Sequence, residues 1–155
     1  MGKIIEPSRR WCVICDIDGT LANNTHRSHF VEGPGKKDWK AFFDDMDLDT
    51  PFDPVVTTFH ALQQAGLTGI LCSGRPADYR EITEAWLRRH YIGYERLYTR
   101  SAGDHRSDTV VKLELLAQIR ADGFEPHVVI DDRASVVAMW RSQGLVCLQS
   151  AEGNF

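Results

Sequence analysis

The chain has 155 residues, and 22 acidic side chains outnumber 18 lysines and arginines, which gives a net charge of −4 at pH 7. This length suits one domain, and 43% apolar with 26% charged residues excludes disorder, collagen and coiled coil. No run approaches the ~18 apolar residues of a membrane span, and the opening MGKIIEPSRR has no signal-peptide core, so no membrane association is expected. The acidic balance argues against broad coating of nucleic acid, but not against a grip on a few phosphates at a chain end.

Four cysteines, at positions 12, 15, 72 and 147, are too few for a disulfide scaffold. Cys12 and Cys15 form a CxxC, but residues three apart on a strand point to opposite faces, so the pair is not expected to chelate one metal. We therefore expect free thiols in a reducing compartment, hence a cytoplasmic protein.

Short apolar runs alternate with amphipathic stretches along the chain. The pattern predicts a strand at 11–17, a helix at 54–65, strands at 69–72 and 97–99 around a helix at 78–90, a helix at 108–121, a strand at 127–130, a helix at 134–143 and a strand at 145–148. Asp53 and Asp108 are the expected N-caps of their helices. The alternation predicts an α/β fold with a Rossmann-like, doubly wound parallel sheet.

Residues 21–52 interrupt this alternation between the first strand and the first long helix. The stretch DWKAFFDDM, at 38–46, predicts a small amphipathic helix, and we interpret the whole insertion as a helical cap over the sheet of a single domain spanning 1–155. The acidic residues of the insertion are expected to form a solvated face rather than a metal site; they are Asp44, Asp45, Asp47 and Asp49.

Polar residues collect at the ends of three predicted strands. The first ends in DIDGT (16–20), the second in SGR (73–75) and the third in DDR (131–133), while Lys112 lies one turn after Asp108. Sites in open α/β sheets gather outside the carboxyl ends of the strands. Carboxylates that converge there would repel each other without a cation, and oxygen ligands with no His or Cys indicate magnesium.

The same residues suit phosphoryl chemistry. A carboxylate can attack phosphorus and form an aspartyl-phosphate. A second carboxylate two positions later can act as general acid and base if the chain turns there, which Gly19 permits. Ser73 and Lys112 can neutralise a transferring phosphoryl group.

These motifs, in this order, resemble the four motifs of the haloacid dehalogenase superfamily of phosphotransferases. The likeness extends to Arg27, to R-x-D-x-x-x-K at 106–112 and to IDDRASVVAMWRSQGLVCLQSAEGNF at 130–155. Over about residues 11–155 the chain thereby resembles the 3′-phosphatase domain of bacteriophage polynucleotide kinase. The resemblance implies a Mg²⁺-dependent polynucleotide 3′-phosphatase that acts on DNA or RNA ends through an aspartyl-phosphate, with 2′-phosphates and 2′,3′-cyclic phosphates as further candidate substrates.

The resemblance also implies a role for each matched residue. In the catalytic set, Asp16 matches the nucleophile and Asp18 the general acid–base. Arg27 and Arg75 match two essential arginines, and Ser73 and Lys112 match the phosphate contacts. Asp108 matches a further essential acid. The expected metal ligands are Asp16, Asp18 through its backbone carbonyl, and at least one of Asp131 and Asp132. The expected substrate-binding residues are Thr20, Gly74, Arg106 and Arg133.

Alternatives stay open at this point. GPGK, at 33–36, lacks the G-x-x-x-x-G-K-[ST] spacing, so kinase activity is not expected and a separate kinase or ligase is a candidate partner. The acidic charge also allows a phosphatase of small molecules such as a nucleoside monophosphate. A non-catalytic binding module is disfavoured, because burying the acids without chemistry would be unfavourable. The aromatic residues of the cap, Trp39, Phe42 and Phe43, are expected to pack within it rather than to stack on bases. The sequence leaves the oligomeric state open.

Overall fold

The protein, described here by a computed structural model over residues 9–153, is organised around a five-stranded parallel sheet. Its helices and strands in chain order are β1 (Arg10–Cys15), β2 (Ala22–Asn23), α1 (Trp39–Asp44), β3 (Thr50–Pro51), α2 (Asp53–Gln64), β4 (Thr68–Pro76), α3 (Arg80–Arg89), β5 (Arg96–Arg100), α4 (Asp108–Ala121), β6 (Phe124–Arg133), α5 (Ala134–Ser142) and β7 (Cys147–Gly153). The opening residues of the chain and the last two of the C-terminal stretch singled out above lie outside the described residues.

The main sheet has the strand order β5-β4-β1-β6-β7, and every neighbouring pair is parallel. The predicted α/β architecture with a parallel sheet is therefore confirmed. Because β1 is central, its carboxyl end lies between those of β4 and β6, and the three polar motifs meet at one edge of the sheet. Within residues 9–153, no helix is long and apolar enough to cross a membrane.

Two apolar clusters cover the two faces of the sheet. One contains Cys12 and Ile14 of β1 together with side chains of α4 and α5, and the other contains Val13 and Cys15 together with side chains of α2 and α3. The two thiols of the CxxC thus lie on opposite faces, as predicted. All four cysteines are free and buried, so they act as small apolar core residues.

The insertion between β1 and α2 is closed at its base by a short antiparallel ribbon. Ala22 of β2 pairs with Pro51 of β3, and Asn23 pairs with Thr50. Between these strands lie a 3-10 helix at Thr25–Phe30, helix α1 and a second 3-10 helix at Met46–Leu48. The ribbon returns the chain close to the point where it left the sheet, which places the insertion over the end of β1.

The predicted helices agree with the observed ones to within two residues at either end, whereas three strands are misplaced at their ends. β4 and β6 continue through the polar motifs, because their backbone pairing persists after the apolar pattern stops: Ser73 pairs with Thr99 and Asp131 with Gln149. β7 begins and ends later than predicted, at Cys147–Gly153.

Both predicted N-caps are wrong. α2 is preceded by Phe52 and α4 by Ser107, and neither of these residues forms a side-chain cap. Asp53 and Asp108 are instead the first helical residues. The carboxylate of Asp108 binds two arginines, as described below, and is therefore engaged away from its own helix end.

Trp86 of α3 joins the core to the insertion. Trp86 and Trp140 are fully buried, as expected. The Trp86 Nε1–H donates to the backbone carbonyl of Asp49, just before β3, at 2.7 Å. This hydrogen bond connects α3 to the segment that carries the chain out of the insertion.

Replacing Trp86 should separate its apolar burial from its hydrogen bond. Trp86→Ala should lower the free energy of unfolding by about 3–5 kcal/mol, since it opens a large cavity. Trp86→Phe keeps much of the apolar burial but leaves the Asp49 carbonyl unpaired, and should lower the free energy of unfolding by about 1–3 kcal/mol. Urea unfolding followed by circular dichroism measures both. Trp11→Phe is the matched control because the Trp11 side chain is largely exposed. A Trp86→Phe variant as stable as Trp11→Phe would show that the hydrogen bond contributes nothing.

Candidate active site

Three buried carboxylates converge where β1 and β6 end. Asp16 follows β1, Asp131 and Asp132 lie near the end of β6, and an oxygen of each lies within 4.8 Å of the others. Lys112 reaches the cluster from α4, and its Nζ donates to Asp16 Oδ1 at 2.8 Å and to Asp131 Oδ2 at 2.7 Å. We call these four residues the acidic cluster. Three acidic groups share one buried ammonium group.

The single positive charge of Lys112 cannot balance the three carboxylates of the acidic cluster, which leaves an excess of negative charge. Burial raises the pKa of Asp16 well above its usual value; Lys112 opposes this, and Asp131 and Asp132 add to it. Burial and the neighbouring Asp131 likewise raise the pKa of Asp132. Burial alone would lower the pKa of Lys112, but Asp131 and Asp16 hold it well above its usual value, so this amine is protonated. Carboxylate oxygens with uncompensated negative charge are a donor set that fits a hard divalent cation.

The turn after β1 shapes the acidic cluster. Gly19 has φ +79°, and a Cβ at this position would lie 2.3 Å from Asp132 Oδ2, so only glycine leaves room for that carboxylate. The hydroxyl of Thr20 lies 3.2 Å from Asp16 Oδ2 and 3.0 Å from Asp132 Oδ1. Thr20 is fully buried and is not among the residues that line the cleft; in this structure it contacts the two acids, and its substrate contact stays a prediction.

Asp18 belongs to a second, charge-balanced cluster. Its carboxylate accepts from Arg75 Nε at 3.0 Å, from Arg75 Nη2 at 2.8 Å and from Arg27 Nη2. Burial opposes ionisation of Asp18, but the two guanidinium groups hold its pKa well below the usual range. Asp18 is thus ionised near neutral pH. Its side chain is not part of the acidic cluster.

Asp49 completes this second cluster, and the expectation that it is solvated is wrong. The residue is only 2% exposed. It accepts from Arg27 Nε at 2.7 Å and Arg27 Nη2 at 2.6 Å, and lies 3.4 Å from Arg75 Nη2. Two acids here face two arginines, and we call these four residues the balanced cluster. The sequence signal for Asp49 is indirect. If Arg27 and Arg75 are both buried, Asp18 alone cannot balance their charge, and a second acidic residue must lie beside them.

Both arginines lie behind Asp18. Arg27 and Arg75 are fully buried and are not among the residues that line the cleft. Their remaining donors bind Phe42 O at 3.0 Å and Thr83 Oγ1 at 3.2 Å. Both guanidinium groups bind the Asp18 carboxylate, and their predicted catalytic role stays a prediction. Ser73 is also fully buried outside the cleft lining, and its Oγ accepts from the Arg75 backbone N–H at 3.1 Å.

Asp108, the first residue of α4, lines the cleft and binds two arginines. Its carboxylate accepts from Arg100 Nη2 and, at 2.8 Å, from Arg133 Nη1. Gly74 lies against it, and a Cβ there would approach Asp108 Oδ1 to 2.6 Å. Arg106 lies further out, half-exposed and paired with Asp104 and Glu114. The predicted residues Gly74, Arg106, Asp108 and Arg133 all line the cleft.

The cleft has a volume of about 1010 Å³, and the acidic cluster and Asp18 lie along it. Aromatic side chains of α1 and the loop at 103–107 that leads into α4 also line it. Volumes of 300–1,000 Å³ are typical of sites for whole small molecules. A nucleotide, rather than a phosphate group alone, fits such a space.

Comparison with known proteins gives a family match. Residues 10–155 match the family described as the polynucleotide kinase PNKP phosphatase domain. A putative bifunctional polynucleotide kinase/RNA ligase of Autographa californica nuclear polyhedrosis virus is 29% identical over 131 residues, which is 83% of this chain and 17% of that protein.

Solved structures show the same relationship. A chain of the Pnkp1/Rnl/Hen1 complex superimposes with a TM-score of 0.82 at 34% identity, over 96% of this chain and 47% of that chain. A class C acid phosphatase from Bacillus anthracis shares the fold at a TM-score of 0.61 and 14% identity, over 84% of this chain and 54% of that one. The chain thus spans less than half of the length of the viral relative and of the matched chain of the Pnkp1/Rnl/Hen1 complex. It belongs to the polynucleotide kinase (PNKP) phosphatase domain family, which has the haloacid dehalogenase-like fold.

Proposed function

We propose that this chain is a Mg²⁺-dependent polynucleotide 3′-phosphatase that removes the phosphate from nucleic-acid 3′ ends through an aspartyl-phosphate intermediate. The observation that carries the proposal is the acidic cluster, with its excess negative charge, beside an ionised Asp18 in a nucleotide-sized cleft. Membership of the PNKP phosphatase family supports the assignment to nucleic-acid ends.

Asp16 is the proposed nucleophile. Lys112 holds one of its carboxylate oxygens and Thr20 lies against the other, which fixes the orientation of the group. Attack on phosphorus forms the Asp16 Oδ–P bond and breaks the bond between phosphorus and the 3′ oxygen of the substrate. The ammonium group of Lys112 lies 2.8 Å from Asp16 Oδ1, where it would offset the charge of the transferring phosphoryl group.

Asp18 is the proposed acid–base. As general base it would take a proton from the water that hydrolyses the aspartyl-phosphate. As general acid it must first bind a proton, which the negative charge of a bound phosphate favours, and it would then pass this proton to the departing 3′ oxygen. The arginines Arg27 and Arg75 favour its ionised form, which is the form required in the hydrolytic step. Asp49 holds both arginines in place, so we infer that it positions Asp18 indirectly.

Asp16, Asp131 and Asp132 are the residues that would hold the magnesium ion, together with the backbone carbonyl of Asp18 that the family resemblance implies. When bound, the ion would neutralise the excess charge of the acidic cluster and attract the phosphoryl oxygens of the substrate.

We infer that the biological setting is nucleic-acid end repair. One structural relative is described as part of an RNA repair complex, and the viral relative as a polynucleotide kinase/RNA ligase. A kinase or ligase is therefore the proposed partner of this phosphatase, and RNA ends are among its proposed substrates. The free cysteines support a reducing, cytoplasmic location.

Phosphate release from matched oligonucleotides tests the proposal. Release from a 3′-phosphorylated oligonucleotide should require Mg²⁺ and stop on addition of EDTA, whereas a 5′-phosphorylated oligonucleotide of the same sequence should be inert. Asp16→Asn should lower kcat/KM by roughly three orders of magnitude or more, because it removes the nucleophile. Asp47→Asn is the control, since Asp47 pairs with Arg89 at the surface. Equal or faster release from a free 3′-mononucleotide would favour the small-molecule alternative that the acidic charge of the chain suggests.

Asp49 provides a second test. Asp49→Asn leaves two buried guanidinium groups facing one carboxylate, so it should lower the free energy of unfolding by about 3–5 kcal/mol. Misplacement of Asp18 should lower kcat by about 100-fold while KM changes little, because Asp49 is not among the residues lining the cleft. Steady-state kinetics at a temperature where the variant is folded separate the two effects. A variant that is destabilised but retains wild-type kcat would limit Asp49 to a structural role.

A further inference from the structure

One wall of the cleft is aromatic. Trp39 and Phe43 of α1 have ring centroids 6.1 Å apart with an interplanar angle of 26°, and Tyr79, beyond β4, lies 5.2 Å from Phe43. All three line the cleft, and Trp39 is 45% exposed. We call these three residues the aromatic wall.

Packing within the insertion accounts for only part of the aromatic wall. Phe42 is 6% exposed and lies 4.1 Å from the Arg27 guanidinium, and the rings of Trp39 and Phe43 pack edge-on against it at 5.7 and 5.3 Å. The predicted packing role is thus observed. Trp39 is nevertheless 45% exposed, and both Trp39 and Phe43 line the cavity that contains the acidic cluster.

The aromatic wall is held at a fixed place relative to the reacting groups. Arg27 donates to the Phe42 backbone carbonyl at 3.0 Å and also binds the Asp18 carboxylate. A single side chain therefore links α1 to the proposed acid–base. On the other side, the Tyr79 hydroxyl donates to Asp44 Oδ1 at 3.0 Å and joins the end of α1 to the segment after β4. A nucleotide with its phosphate over Asp16 would carry its base along a cleft whose wall is already ordered.

Cations accompany the aromatic surface. Lys37 Nζ lies 5.7 Å from the centroid of the Trp39 ring, and Lys37 and Lys40 both line the cleft. Aromatic rings interleaved with lysines favour a nucleic-acid strand over an uncharged apolar ligand, because bases stack on the rings while phosphates attract the ammonium groups.

We propose that the aromatic wall is a base-stacking subsite, in which the base of the 3′-terminal nucleotide stacks on Trp39, with Phe43 and Tyr79 holding and extending that surface. This inference rests on the proposed 3′-phosphatase function and adds to it the means by which a nucleotide end is distinguished from a simple phosphate ester. Since every base has a π-face, the subsite accepts all four bases.

Two oligonucleotides that differ at one position test the subsite. Both have a 3′-phosphate, but the terminal nucleotide has its base in one and is abasic in the other. Wild-type kcat/KM should favour the end with the base by roughly 5- to 150-fold, the range expected for one base stacked on an aromatic side chain. Trp39→Ala should bring this ratio close to one, and Trp39→Phe should retain most of it. Trp11→Ala, which removes an exposed tryptophan at the start of β1, should keep the wild-type ratio.

The outcomes separate the subsite from the proposed function. Equal hydrolysis of the two ends by the wild type would overturn the subsite while leaving the 3′-phosphatase in place. A Trp39→Ala variant that is slower on both ends but keeps the wild-type ratio would overturn it as well, since that pattern marks a purely structural role. Release from neither oligonucleotide, with turnover of a free 3′-mononucleotide, would contradict the 3′-end function itself and the subsite with it.

Discussion

Buried, uncompensated negative charge at the carboxyl ends of β1 and β6 is the constraint on which this structure depends. Three acidic side chains share one lysine there. Such an arrangement destabilises the folded state unless a cation compensates the negative charge, so its presence indicates a function. The surrounding sequence accommodates it: Gly19 leaves room for Asp132, Thr20 lies between two of the acids, and Trp140 donates to Asp131 at 3.1 Å. Local structure has thus been adapted to hold the acids together, which is typical of a site rather than of a core.

The adjoining balanced cluster follows the opposite electrostatic rule. Asp18 and Asp49 face Arg27 and Arg75, so the charge is compensated within the protein and no ion is needed. Because Arg27 and Asp49 belong to the insertion and Arg75 to β4, this cluster also joins the insertion to the sheet. The two clusters therefore differ in function. The acidic cluster has excess negative charge that can bind a cation, and the balanced cluster keeps the Asp18 carboxylate ionised.

Much of this could be predicted from the sequence, and the remainder depended on tertiary contacts. Apolar periodicity predicted the helices and the parallel sheet, and the polar strand ends located Asp16 and the pair Asp131–Asp132, because those signals are local. Lys112 lies on a helix, and its spacing alone did not mark it; the resemblance to the family motifs assigned it to the site. Asp49 was missed because an acidic run reads as solvated until its arginine partners are placed. For the same reason, Asp108 looked like a helix cap, although its carboxylate is taken by Arg100 and Arg133.

The dependence of stability on Mg²⁺ tests the central claim most directly, since it reports the charge of the acidic cluster without any substrate. In wild type, Mg²⁺ should raise Tm relative to EDTA, by about 2–4 °C for each kcal/mol of binding free energy. Asp132→Asn keeps an oxygen for Thr20 but removes one negative charge, so in EDTA it should melt above wild type and lose the response to Mg²⁺. A wild type whose Tm ignores Mg²⁺, or a variant that melts below wild type in EDTA, would contradict the account.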